Sequence, residues 1–150
     1  MVGRTLRLSG SCQKEMDIEE IYRVIEKDRF AVHMGIEFTL IEEGRAVTRM
    51  ELKEEHDNFM GMVHGGSIFA VADAAFSAAS NSSGTGAVAV HIAIDYLAAP
   101  GDTPYLEAES RLTARIGRAG YYEMEVRSAS GEVIAICHGR VHYASKSLTE

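Results

Sequence analysis

Apolar and polar positions divide the chain into segments of different period. Ile18, Ile21, Tyr22 and Ile25 recur on one face of a helical wheel, Asp17 stands where a cap would, and Glu19 and Glu20 suit the first turn. A helix from Asp17 is expected. It follows a segment, 1–16, that has no clear period and reads as a flexible N-terminal extension to one domain over 17–150. Two strand-like runs come next, about 35–42 and 45–53, with Glu43-Gly44 as the turn between them. Residues 54–64 read as a connecting loop.

From Gly65 to about Ser83, Ile, Phe, Ala and Val occupy almost every side of the wheel. A helix apolar all round is buried all round. Alanine favours the helix and keeps it thin enough to be wrapped. Asn81, Ser82, Ser83, Gly84 and Gly86 mark its end. Four more strands are expected at about 87–98, 104–116, 121–129 and 132–144, separated by Pro100-Gly101-Asp102, Gly117-Arg118-Ala119-Gly120 and Ser130-Gly131. Helix, two strands, a long buried helix and an antiparallel meander predict an α+β layout, one sheet wrapped around a central helix.

Composition narrows the class. The 150 residues favour a single domain, and 46% hydrophobic with 25% charged residues excludes general disorder. A net charge of −7 argues against a nucleic-acid partner, though a local arginine cluster can still bind phosphate. Cys12 and Cys137 have neither metal-ligand spacing nor a disulfide framework, which points to a reducing compartment. Residues 1–11 lack a signal-type apolar run, and Ile68–Ala79 is too short and interrupted to span a membrane. A cytoplasmic protein is expected, without a membrane partner.

The chemistry concentrates in Asn58–Gly86. Asp73 falls two turns into the apolar helix, between Ala72 and Ala74, where a carboxylate must be paired, hydrogen-bonded or used. Position alone leaves a structural and a catalytic role open. His64-Gly65-Gly66 opens the same helix. Unpaired N–H groups at a helix start attract an anion or a carbonyl becoming one, and glycine lets a ligand approach the backbone. The same glycines could simply make the turn. Together, an aimed amide and a buried carboxylate fit acyl transfer. Yet Gly65 and Asp73 lie about 12 Å apart along one helix. If they cooperate, two copies of the helix must lie side by side, with the site between subunits.

The run Asn58-Phe59-Met60-Gly61-Met62-Val63-His64-Gly65-Gly66, followed by Phe69, Ala72-Asp73, Ala75-Phe76 and Asn81-Ser82-Ser83-Gly84, resembles the phenylacetate-pathway (PaaI-type) thioesterases. Ile94-Asp95-Tyr96-Leu97 and Gly117-Arg118 are also similar to that family. The resemblance implies the hotdog fold, assembled as homodimers or pairs of dimers, and hydrolysis of an acyl-CoA without metal or other cofactor. It implies that Asp73 is nucleophile or general base and that the Gly65 amide polarises the thioester carbonyl. Asn58 and His64, from the opposite subunit, would position the thioester or the water. Some relatives carry a hydroxyl on the strand after the helix; Ala87-Val88-Ala89-Val90-His91 has none, and His91 is the polar side chain there.

Gly66, Phe69 and Met62 are the expected substrate contacts, with Met60 and Met62 forming either an adaptable acyl pocket or ordinary core. Arg118, with Arg111 and Arg115, is the candidate for the CoA phosphates, or else part of a solvated face. His138 and His142 on one strand would be about 13 Å apart, too far for a shared ion. Gly84-Thr85-Gly86 ends a helix and is no dinucleotide loop. Two rival readings are a hotdog acyl-thioester hydratase or dehydratase, and a non-catalytic acyl-CoA-binding module.

Overall fold

The structure, a computed structural model, describes residues 18–148. Asp17, Cys12 and the expected extension 1–16 lie outside the described residues. The elements are α1 (Ile18–Ile25), α2 (Arg29–Met34), β1 (Ile36–Glu42), β2 (Arg45–Glu51), α3 (Gly65–Asn81), β3 (Thr85–Tyr96), β4 (Tyr105–Ile116), β5 (Ala119–Ser128) and β6 (Val133–Ser147). Two elements were not anticipated. One is α2, capped by the Asp28 carboxylate on the Ala31 N–H and stopped by Gly35 in the left-handed region at φ 69°. The other is a single 3-10 turn, Glu54–His56, inside the expected loop.

All six strands form one antiparallel sheet in the order β1-β2-β4-β5-β6-β3. The meander expectation holds for β4–β5–β6 alone. β3 does not pair with β4; it crosses to the far edge and lies beside β6, with Ile94 opposite Cys137 and Ile92 opposite Gly139. The helix α3 crosses the concave face, touching every strand. This is the hotdog architecture: an antiparallel sheet around a long central helix.

The inner surface is built from alternating small and large residues. Ala46, Thr48 and Met50 of β2, Leu106, Ala108 and Ser110 of β4, and Tyr122, Met124 and Val126 of β5 are all buried. The closest approach is at Gly139, where an added Cβ would lie 2.6 Å from the Phe76 ring. Glycine there lets the aromatic ring of α3 rest on β6, edge-on to Tyr122 at 5.4 Å between centroids. On the outer face, Arg45 pairs with Glu109, Arg49 with Glu107 and Arg127 with Glu125. These exposed pairs blunt the surface and add little stability each.

Ser110 breaks the apolar inner rows. Its hydroxyl is fully buried and has no hydrogen-bond partner among the described residues. Such a group costs about 1–3 kcal/mol relative to water. Ser110→Ala is expected to raise the thermal unfolding midpoint by about 2–5 °C, net of a small void. A lowered midpoint in a melting curve would show that the hydroxyl is satisfied.

Candidate active site

The expectation that α3 is buried all round needs one correction. Phe69 and Asp73 are half-buried and Ser77 is exposed, while their neighbours on the helix are buried. These three stand at i, i+4 and i+8, so they form one open stripe. Asp73 therefore sits at the rim of the core. Its carboxylate makes no hydrogen bond or ion pair among the described residues. Burial, and then the nearby Asp28 carboxylate, push its pKa up from the ordinary value of 3.8.

At the start of α3, His64 is the N-cap, and its Nδ1 accepts the Gly66 N–H at 2.7 Å. A neutral ring that accepts on Nδ1 carries its proton on Nε2, and the side chain is exposed. The Gly65 N–H, first of the helix, makes no hydrogen bond among the described residues. It is an unsatisfied donor at the positive end of the helix dipole.

The preceding loop is held tightly. Asp57 bridges Val63, the Asn58 N–H donates to the Met62 carbonyl at 2.7 Å, and Gly61 takes φ 71°. Asn58 Oδ1 accepts the N–H groups of Met60 and Met62 at 2.8 and 3.2 Å. Its oxygen is thus used within the loop, and only the amide N–H2 remains to face a ligand. Asn58 can donate but not accept there. The buried His56 anchors the other end: its carbonyl accepts the His64 N–H at 2.8 Å and the Ser67 hydroxyl at 3.0 Å.

Met62, Val63, Gly65, Ile68, Tyr96 and Leu97 enclose a recess of about 350 Å³ at this end of α3. A second recess, about 330 Å³, opens one turn beyond Asp73 and is lined by Val24, Ile25, Asp28, Phe38, Ser77 and Asn81 among others. Both are at the small end of ligand-sized cavities.

The structure thus gathers Met62, His64, Gly65 and Gly66 at one end of the helix, beside Asn58. It places Phe69 and Asp73 further along the open stripe, with Asp73 about 12 Å from Gly65. Arg118 is not brought near them. It lies at the β4–β5 turn, where its carbonyl accepts the Tyr143 N–H, and Tyr143 faces Ala87, which bonds Asn81 at the helix C-terminus. Arg118 makes no ion pair among the described residues. Arg111, by contrast, pairs with Glu109 at 2.7 Å and Arg115 stacks over the Tyr143 ring at 4.0 Å. His91 pairs with Arg140 on the sheet face opposite α3, since its neighbour Ile92 faces the same side as Gly139. It points away from α3 and does not stand in for a hydroxyl missing from the run Ala87–Val90.

Three residues were missed. Ser77, on the same face as Asp73, was findable from the i+4 spacing. His56 carried no local signal, because its role is to bond across the loop. Tyr96 donates its phenol hydroxyl to the Gly65 carbonyl at 2.9 Å, a contact made by the sheet crossover. Cys137 lies on the inner face of β6; burial first, then Asp73 and Asp95, push its thiol up to about 11. It stays protonated near neutrality and is no nucleophile.

Residues 60–135 match the Thioesterase superfamily. The acyl-coenzyme A thioesterase PaaI of Escherichia coli K12 is 31% identical over 133 residues, covering 87% of this chain and 94% of that one. A candidate esterase from Archaeoglobus fulgidus is 37% identical over 102 residues, 68% of this chain and 66% of its own. The structure of the E. coli PaaI protein from the phenylacetic acid degradation operon superposes with a TM-score of 0.80 at 29% identity, over 86% of this chain and 94% of that one. No helix among the described residues is long and apolar enough to cross a membrane. The fold and these likenesses agree: the chain belongs to the thioesterase superfamily, as a PaaI-type thioester hydrolase.

Proposed function

We propose that this protein hydrolyses an acyl-CoA to the free carboxylic acid and CoA, with sites shared between two subunits. The observation that carries the reading is Asp73, a half-buried carboxylate with no partner among the described residues and a raised pKa. A structural carboxylate would be paired. A non-catalytic acyl-binding cavity would gain nothing from one. Asp73 acts as general base toward water or as the nucleophile itself. The Gly65 N–H holds the carbonyl oxygen as it gains charge. Asn58 and His64, each left with a free N–H donor, orient the thioester or the water.

Two subunits are required because one carbonyl cannot reach both Asp73 and Gly65 of a single helix. The edge strand β3 supplies the means. It is twelve residues long, leaves one side of its backbone unpaired, and exposes Val88 at 66% and Val90 at 54%. A long apolar edge seeks another strand. A second copy, joined edge to edge by a two-fold axis, would extend the sheet and bring the two α3 helices alongside each other. Asp73 of each chain would then face Asn58, His64 and Gly65 of the other.

Release of free thiol from a panel of aromatic and medium-chain acyl-CoAs tests the reaction. No thiol release, with hydration of an enoyl-CoA instead, would favour a hydratase. Tight binding without turnover would favour the binding module. Sharing is tested by co-expressing Asp73→Asn with His64→Ala chains, each folded and inactive alone. Random pairing makes half the dimers mixed, and half of their sites intact. Activity is expected to return to about a quarter of the native level for a closed two-fold dimer. No recovery, with mixed dimers shown to form, would sink the shared site.

A further inference from the structure

One peptide group at the start of α3 is gripped at both ends. The Gly65 carbonyl accepts the Tyr96 hydroxyl at 2.9 Å, and the Gly66 N–H of the same peptide donates to His64 Nδ1 at 2.7 Å. The links form a chain: phenol O–H to C=O, through the amide, to N–H and imidazole. Donation onto the carbonyl polarises the amide and strengthens its N–H as a donor. The Tyr96 ring also lies directly over Gly65, where an added Cβ would come 3.2 Å from the phenol oxygen and 3.3 Å from its ring carbon. A side chain at position 65 would require the Tyr96 ring, which is half exposed, to shift by a few tenths of an ångström.

We propose that Tyr96 is a positioning residue for the thioester site: through the Gly65–Gly66 peptide it holds His64 in the Nε2–H form and fixes the first turn that presents the Gly65 amide. This inference rests on the hydrolase reading above and adds a residue to it. Tyr96 comes from β3, whereas the groups it aligns come from the loop and α3. It therefore ties the outer strand of the sheet to the electrophile. Burial raises the phenol pKa further above 10, with a smaller contribution from Cys137, so the hydroxyl remains a donor at working pH. No other side chain among the described residues bonds to the Gly65 carbonyl.

Tyr96→Phe keeps the ring and removes only the donor. It is expected to lower kcat about five- to tenfold, the effect of one neutral hydrogen bond, with KM changed less than twofold. Nitrogen-15 spectra of His64 should show one tautomer, with the proton on Nε2, in the native protein and a mixture in Tyr96→Phe. The tautomer readout needs no turnover, so it stands even if acyl-CoA is not the substrate. Unchanged kcat with an unchanged tautomer would overturn the proposal. So would a lowered kcat with His64 still held in one tautomer, which would break the link from Tyr96 to His64. Melting and sizing of the variant guard against a general defect at the β3 edge.

Discussion

Asp73→Asn is expected to lower thioester hydrolysis at least about a hundredfold while making the protein more stable at neutral pH. The two effects share one origin. Asn is nearly isosteric and keeps the half-buried position on the open stripe of α3, but it can neither take a proton nor attack a carbonyl. The carboxylate it replaces is desolvated, repelled by Asp28 and unpaired among the described residues. A carboxyl whose pKa is raised on folding binds protons more tightly in the native state. Stability from this group is therefore lost as pH rises above the unfolded value of 3.8 and through the folded one. The Asn variant should escape that loss, melting higher than the native protein at pH 7 and no higher in strong acid. The acid limb of the native pH–rate profile should lie above the ordinary carboxylate range for the same reason. A variant that turns over normally, or that melts lower at pH 7, would contradict this account of Asp73.

Gly65→Pro should abolish measurable turnover and leave the fold intact. Proline suits the first position of a helix, where its absent N–H has no intrahelical partner. His64 before it already has φ −65° and ψ 137°, the extended conformation that a residue preceding proline adopts. What proline removes is the unpaired amide proposed to receive the carbonyl oxygen, a loss of about 3 kcal/mol in the transition state, or over a hundredfold in rate. Crowding against the Tyr96 hydroxyl is a second effect, since any Cβ at position 65 meets it at 3.2 Å. Gly65→Ala separates the two, having the same Cβ but retaining the N–H. Alanine should keep much of the activity and proline almost none. Equal losses in steady-state rates would assign the effect to crowding, and native turnover in the proline variant would exclude the amide from the reaction.

Much of this molecule was legible in its residues. The run of Ala, Ile, Val and Phe between Gly65 and Asn81 could only be a wrapped helix, and Asp73 stood out against it. The open stripe was less visible because Phe69 and Ala72 look alike as hydrophobes; only the sheet decides which one is covered. Asp28 and Gly35 are good cap signals for α2, but six residues hold too little period to announce a helix, and Gly35 reads equally well as the start of β1. The position of β3 was illegible for a different reason. Ala87 to Ile94 is apolar enough for a strand buried on both faces, whereas it is an edge, with Val88 and Val90 exposed. Its place at the edge is set by the strand order, which no local pattern records. The same crossover hid the contact between Tyr96 and Gly65.

The strand order also governs when the molecule can fold. Among the described residues β3 lies beside β6, a strand made after β4 and β5. At about 5–20 residues per second the ribosome leaves a few seconds in which this apolar strand has both edges bare. The helix α3 is equally unwrapped, because β4, β5 and β6 must arrive before the concave face is complete. Contacts so distant in sequence form slowly even in the finished chain. The nascent protein thus passes through an interval in which β3 is an exposed, adhesive apolar strand, until β6 emerges to cover one side of it.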